Sequence, residues 1–433
     1  MPTPSKGSSS VDTFSDQKNM LKVRDQVYRH MISSQLFYDG HQSMAVQLST
    51  LIQAHPPCPP SDRLTKLVSL GLQTEQDEKA LPAKGRTRIC LDLENSADIA
   101  NIAPEPATYD TIYVTSHKGN CRVGAFSHDG MLCATGSVDT SIKILDMERM
   151  LAKASAEGEA EVGHPVIRTL YDHMEEVSAL QFHPSAQVLA SGSRDFSVKL
   201  FDYSKSTVKK AQMTIPDSAE VNALSFHPSG QYISVATEHN VIRLYNVNTA
   251  QCFAPAAPRH NHTSAVVDIM YSADGRSLVS CSKDGTIKLW DGVSNQCVNT
   301  LQKAHQESEV CSVQFSKNGK YVLSSGMDSL VKLWELSTSR CLIAYTGAGT
   351  TAKQEFRSVA TFNHTEDYVI FPDEATISLC CWDARNAVRK KLLSLGHNAA
   401  VRRVVHSPIA PAFMSCSDDF RARFWYKRGT IST

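Results

Sequence analysis

The chain has 433 residues, 42% of them hydrophobic, and 44 Lys plus Arg balance 44 Asp plus Glu. That length holds one large domain or several smaller ones, and the zero formal charge excludes a histone-like, wholly basic nucleic-acid binder while allowing a local basic patch. No apolar run approaches the ~20 residues that span a bilayer, the first ten residues lack a signal-peptide core, and none of the 12 cysteines stands in a C-x-x-C pair. The expectation is therefore an intracellular protein with reduced thiols, no membrane contact and neither a disulfide framework nor a zinc site.

Residues 1–16, with Pro2, Pro4, Gly7 and a run of serines, read as a disordered tail. Residues 17–75 read as a helical domain. Met20, Val23, Val27 and Met31 fall on one stripe, and Leu21, Tyr28, Ile32 and Leu36 on its neighbour; Gly40 stops the helix. A second pattern runs through Met44, Ala45, Leu48, Leu51 and Ile52 to the prolines that begin at Pro56, and Ser61 caps a third short helix carrying Leu64, Leu67, Val68 and Leu70. Three short helices cannot bury such wide apolar faces among themselves, so a partner surface is required. Residues 76–108, with Pro82, Pro104, Pro106 and acidic Asp92 and Glu94, hold no sustained period and read as a linker.

From 109 to 433 the sequence repeats. Units ending at Asp146, Asp202, Asn246, Asp291, Glu335, Asp383 and Tyr426 are separated by 56, 44, 45, 44, 48 and 43 residues. A period near 44 with alternating apolar residues indicates radially arranged four-stranded units. His117, His173, His262, His305 and His397 open five of them, and Asp139, Asp195, Asp284, Asp328 and Asp419 follow 22 or 23 residues later. The pattern resembles the WD-repeat β-propeller, which implies an all-β ring of seven blades behind a small N-terminal α-helical domain. In that family a His, a Ser or Thr, a turn Asp and a Trp form one hydrogen-bonded set. His262, Ser280, Asp284 and Trp290 match it in the fourth unit, and His397, Ser415, Asp419 and Trp425 in the seventh. The third unit departs, with Asp217 for His and His239 for Asp, and the sixth keeps only Trp382 and Asp383. The last unit has room for three strands, so the β-rich residues 111–115, which lack a hairpin partner, are expected to supply its fourth and close the ring. The insertion at 148–164, bearing Glu157, Glu159 and Glu161, is expected to project as an acidic loop or short helix.

Sixteen histidines and twelve cysteines do not assemble into a catalytic constellation. The unit-initial histidines recur with the fold, and His183, His227 and His406 fall at hairpin turns. Cys252, Cys297 and Cys341 repeat on outer strands, Cys281 and Cys416 repeat in a Ser-Cys-Ser context, and adjacent Cys380 and Cys381 point to opposite faces of a strand. There is no Gly-x-Ser-x-Gly elbow, P-loop or His-Glu-x-x-His helix. The reading is a non-enzymatic protein without catalytic, cofactor-binding or metal-binding residues. Two features are candidate sites: the helical module, and the basic end, where residues 384–433 carry ten basic and two acidic side chains. Arg402, Arg403, Arg421, Arg423, Lys427 and Arg428 are its candidate contacts to an acidic protein segment or to RNA.

Ile32, Leu36, Gly40, His41, Met44, Ala45 and Leu48 resemble the LisH family of dimerisation motifs, which implies a homodimer built on Leu21, Val27, Met31, Ile32, Leu36, Met44, Leu48 and Leu51. Longer segments, at 34–40, 113–119, 142–153, 164–173, 362–369 and 416–426, are similar to the WD-repeat subunits of cleavage stimulation factor. That resemblance implies a nuclear, non-catalytic scaffold in pre-mRNA 3′-end cleavage and polyadenylation. It also implies helical-repeat and RNA-recognition subunits as partners, and contacts with the RNA polymerase II tail and a BRCA-associated RING protein. Two alternatives stay open: a substrate receptor of a cullin-type ubiquitin ligase, from the Trp-Asp-x-Arg ending at Trp382 to Arg385, and a propeller that binds RNA directly.

Overall fold

Six consecutive residues are buried in Tyr368–Asp373, and again in Ala412–Ser417. A strand hidden on both faces belongs to a sheet packed between two others, and the computed structural model has that arrangement seven times over. The structure describes residues 32–36, 38–51, 61, 64, 91, 93, 101–155, 163–205, 209–255, 257–348 and 354–427. The chain divides into two units, Met1–Thr87 and Arg88–Thr433.

In the first unit, residues 32–36 are helical and a helix spans Gln42–Leu51. Ser33 and Ser49 are buried against each other, their hydroxyls 2.8 Å apart, with Ala45 beside them on the inner face. Ile32, Met44 and Leu51 are 43%, 60% and 81% exposed, while Leu36 and Leu48 are half-buried. The small residues face in and the large apolar ones face out, the reverse of a self-sufficient core. Leu21, Val27 and Met31 lie outside the described residues.

The second unit is a ring of seven four-stranded antiparallel sheets. Blades one to six occupy residues 121–171, 177–216, 221–253, 266–301, 310–345 and 361–394. Blade seven takes Val401–His406, Ala412–Ser417 and Arg421–Tyr426 from the end of the chain and Asp110–Ser116 from before the first blade. The closing pair is antiparallel from Asp110 opposite Tyr426 to Ser116 opposite Arg421. Apolar clusters fill the space between neighbouring blades; Val123, Ala134 and Ile144 of blade one, for example, pack with Val177, Leu180 and Leu189 of blade two.

The recurring His, Ser, Asp and Trp pin three blades at one face of the ring. His262 bonds Asp284 at 3.3 Å through Nδ1 and Ser280 at 2.7 Å through Nε2, and the Trp290 indole donates to the same Ser280 at 2.8 Å. Blade seven repeats this with His397, Asp419, Ser415 and Trp425. Blade five forms a third complete set from His305, Asp328, Ser324 and Trp334, in which the histidine lies one residue further from its serine. Blade three replaces the set: Asp217, standing where the histidine would be, accepts from the Tyr245 hydroxyl at 2.7 Å and pairs with Arg243. In blade six the Trp382 indole donates to the Thr346 carbonyl at 3.0 Å.

Two expectations are corrected by packing. The insertion does not simply project, because it begins as the helix Met147–Ser155, whose Met147 and Met150 are buried with Leu145, Met414 and Phe424 at the seam of blades one and seven. Glu157, Glu159 and Glu161 lie outside the described residues. The end of the expected linker is also part of the ring. Leu91 is fully buried with Tyr321, Leu323 and Trp382, and residues 101–108 run as a strap onto blades six and seven, with Ala103 and Tyr109 buried beside Ile370 and Phe413.

Burial pushes the His117 imidazole down to about 4, and lowers those of His262 and His397, by more than their partner aspartates raise them. Burial alone would raise Asp195 and Asp284, but hydrogen bonds from His173 and Ser197, and from His262 and Thr286, hold both below the usual carboxylate range. Below pH ~6.5 the unfolded chain binds protons that these folded histidines refuse, so stability falls with pH by up to ~1.4 kcal/mol per unit for each histidine. The melting temperature is expected to drop steadily from pH 7 to pH 5 by calorimetry; a flat profile would contradict the burial of these rings. Deleting residues 109–116 is expected to abolish cooperative unfolding of the ring. Met150→Ala should cost about 2–5 kcal/mol in denaturant titrations.

Candidate functional site

Asp284, His262 and Ser280 carry the connectivity of a hydrolytic triad, carboxylate to Nδ1 and hydroxyl to Nε2. Ser280 and Ser415 are nevertheless fully buried, and each already accepts an indole N–H. A hydroxyl so placed meets no substrate; these sets hold strands together. Among the described residues no three His, Cys, Asp or Glu side chains gather as a metal site.

On the histidine-bearing face, charged residues ring the central channel. Arg122 of blade one reaches Glu176 at 2.9 Å and Asp418 at 3.2 Å, and Arg194 reaches Glu176 at 3.4 Å and Glu220 at 3.6 Å. Lys283 pairs with Glu238 at 2.7 Å, and Arg357 with Glu309 at 3.1 Å. Arg402 closes the belt by pairing with Asp418 and lying 3.6 Å over the Phe356 ring. These positions recur at equivalent places in the repeat, next to the inner or second strand, so aligning the units and comparing charge there would have revealed the belt.

The basic end is therefore not one patch. Arg402 is neutralised within the belt, and Arg403 lines the channel with Asp268, whose carboxyl burial pushes up against the opposing pull of Arg403. Arg421 is exposed on another strand, Arg423 donates to the Gly396 carbonyl at 2.5 Å, and Lys427 is half-buried. Arg428 lies outside the described residues. Strand alternation separates side chains that the sequence places together.

The opposite mouth of the channel is a cavity of about 390 Å³ walled by Phe126, Phe182, Phe226, Tyr271, Phe315, Phe362 and His406, the last residue of each inner strand. His364 stacks on His406 with centroids 5.3 Å apart. Burial holds the two imidazoles down, to about 4 and about 3, so both are neutral at pH 7.

The strap is clamped beside this mouth. The Leu91 N–H donates to Glu366 at 2.7 Å, and Ile102 and Ala103 donate to Asp367 at 3.0 and 3.1 Å. Arg385 joins Asp367 at 2.8 Å and the Asn101 side chain at 2.7 Å, with only 9% of its own side chain exposed. The arginine of the Trp-Asp-x-Arg ending is thus spent inside the fold and presents no free guanidinium to a ligase.

Comparison with known proteins agrees with this architecture. Residues 19–76 match the family described as cleavage stimulation factor subunit 1, dimerisation domain. The WD domain, G-beta repeat, matches 110–146, 165–202, 209–246, 256–291, 295–335 and 389–426, passing over most of the degenerate blade six. Cleavage stimulation factor subunit 50 of Arabidopsis thaliana is 38% identical over 313 residues, covering 72% of each chain. The COMPASS component SWD3 of Saccharomyces cerevisiae is 25% identical over 45% of this chain and 58% of its own. The nuclear distribution protein nudF of Aspergillus niger is 27% identical over 53% of this chain and 46% of its own.

Arg385→Ala would leave Asp367 as a buried charge without its cation. The expected loss is about 3–5 kcal/mol in chemical denaturation; a loss below about 1 kcal/mol would mean the backbone donors of the strap suffice alone.

Proposed function

The chain belongs to the WD-repeat family and, within it, to the cleavage stimulation factor subunit family represented by the Arabidopsis subunit 50, and on that premise we propose that it is a non-catalytic scaffold of the complex that cleaves and polyadenylates pre-mRNA 3′ ends. The observation that carries the reading is the extent of the likeness, 38% identity over 72% of both chains, joined to a dimerisation domain of the same family. In this reading the protein works in the nucleus. The helical unit joins two copies, and the two rings offer rigid surfaces to a helical-repeat subunit and an RNA-recognition subunit. The RNA polymerase II tail and a BRCA-associated RING protein are further proposed partners. Physical support comes from the exposed Ile32, Met44 and Leu51 on a unit whose interior is built of Ser33, Ala45 and Ser49, and from a ring whose polar residues are largely engaged with one another.

Affinity-tagged full-length chain, recovered from nuclear extract, is expected to bring down the helical-repeat and RNA-recognition subunits in stoichiometric amounts; their absence would remove the scaffold reading. Ile32→Glu combined with Leu36→Glu should convert the full chain from twice 47.6 kDa to a single 47.6 kDa species in light scattering, with an unchanged melting profile for the ring. A variant that stays dimeric would place the interface elsewhere.

A further inference from the structure

In five blades the residue after the turn aspartate takes a left-handed backbone, with φ +65° at Thr140, +61° at Phe196, +75° at Gly285, +59° at Ser329 and +68° at Phe420. Glycine meets this demand freely, whereas a residue with a Cβ gives up about 1–2 kcal/mol. Phe420 adds a second cost, because its ring is 46% exposed. What the fold needs from this position is its backbone: the Phe420 carbonyl accepts the His117 N–H at 2.8 Å and ties blade seven to blade one. Any residue would supply that bond. The ring belongs to none of the described core clusters.

Four cations surround this position. Arg421 follows it and is exposed, as is Lys118 beyond His117. Arg423 and Lys143 donate to the carbonyls of Gly396 and Ser116. Among the described residues none of the four is held in an ion pair. Two carboxylates lie nearby, Asp139 bonded to the Ser141 hydroxyl at 2.6 Å and the Lys118 N–H at 2.7 Å, and Asp419 bonded to His397 at 2.9 Å and the Asn398 N–H at 3.1 Å, so the four cations outnumber them by two. Val114, 41% exposed, stands opposite Arg423 in the closing strand pair.

We propose that this surface, at the seam between the last and first blades, docks an acidic protein segment whose carboxylates meet Lys118, Lys143, Arg421 and Arg423 and whose apolar side chain covers Phe420. An excess of cations over carboxylates beside a strained, exposed ring forms a charged rim about an apolar anchor, as protein-binding hot spots do. A single-stranded nucleic acid would use successive stacking rings along a basic groove; here Phe420 is a single ring, and the exposed residue opposite Arg423 is the aliphatic Val114. The proposal rests on the scaffold reading and specifies one of its surfaces.

The test places the photo-crosslinking residue p-benzoylphenylalanine at position 420 of the full-length tagged chain in cells and sequences the attached peptide. The expected product is a protein segment in which acidic residues outnumber basic ones. A crosslink to RNA, to a second copy of this chain, to a segment without acidic excess, or to nothing overturns the proposal. In chains without the crosslinker, Phe420→Gly is expected to leave the melting temperature unchanged or raise it while affinity recovery of the partner that crosslinking identified falls about tenfold or more. A lower melting temperature with unchanged recovery would make the ring structural. Lys118→Glu with Arg421→Glu should lower recovery further at low salt than at high salt. Cleavage-factor subunits are scored in the same eluate: an acidic crosslink without them keeps the docking site and removes the scaffold reading, and their presence without a crosslink does the reverse.

Discussion

The pairing of Asp110–Ser116 with Arg421–Tyr426 is the contact on which the rest of the ring depends. Six sheets are built from consecutive chain and satisfy themselves locally; the seventh is finished only when residues some 300 positions apart meet. Without that pairing, the first and last blades would each expose a sheet face that is apolar on both sides. The seam receives extra cover for this reason: the helix Met147–Ser155 buries Met147 and Met150 against it.

Closure also fixes where polar groups end up. Once the blades are radial, His262 and His397 each meet the serine and aspartate of their own blade inside a low-dielectric wall, where satisfied hydrogen bonds are strong and proton uptake is disfavoured. Atoms that elsewhere make a nucleophile here make a rivet, because Ser280 and Ser415 have no approach from solvent. The third blade reaches the same end with different chemistry, as Asp217 takes its donors from Tyr245 and Arg243.

The ring then divides its charge between structure and surface. Arg122, Arg194, Lys283, Arg357 and Arg402 are each set against a carboxylate around the channel, and Arg385 holds the strap. Lys118, Lys143, Arg421 and Arg423 stand outside that network at the seam. A scaffold gains specificity from such a division, since engaged charges offer a partner little new interaction energy and unengaged ones offer a great deal.

The kind of fold and the number of blades could be read from the residues alone, because a repeat near 44 residues with alternating apolar positions can bury its faces only against copies of itself. The closing strand was legible too, as a β-rich segment at 111–115 without a hairpin partner of its own. The His262 and His397 sets were legible because their spacing repeats, whereas in the fifth unit His305 and Asp328 were read but Ser324, one residue further on, was not. Which charged residues are free depends on how the strands pack. Arg402 and Arg421 look alike in a run of basic residues, yet one is matched by Asp418 and stacked on Phe356 while the other faces solvent. The same holds for Leu91 and Asn101, which read as linker and are strapped down by Glu366, Asp367 and Arg385. Periodicity encodes which face of a strand is buried; which distant side chain waits there depends on how the strands are brought round the ring.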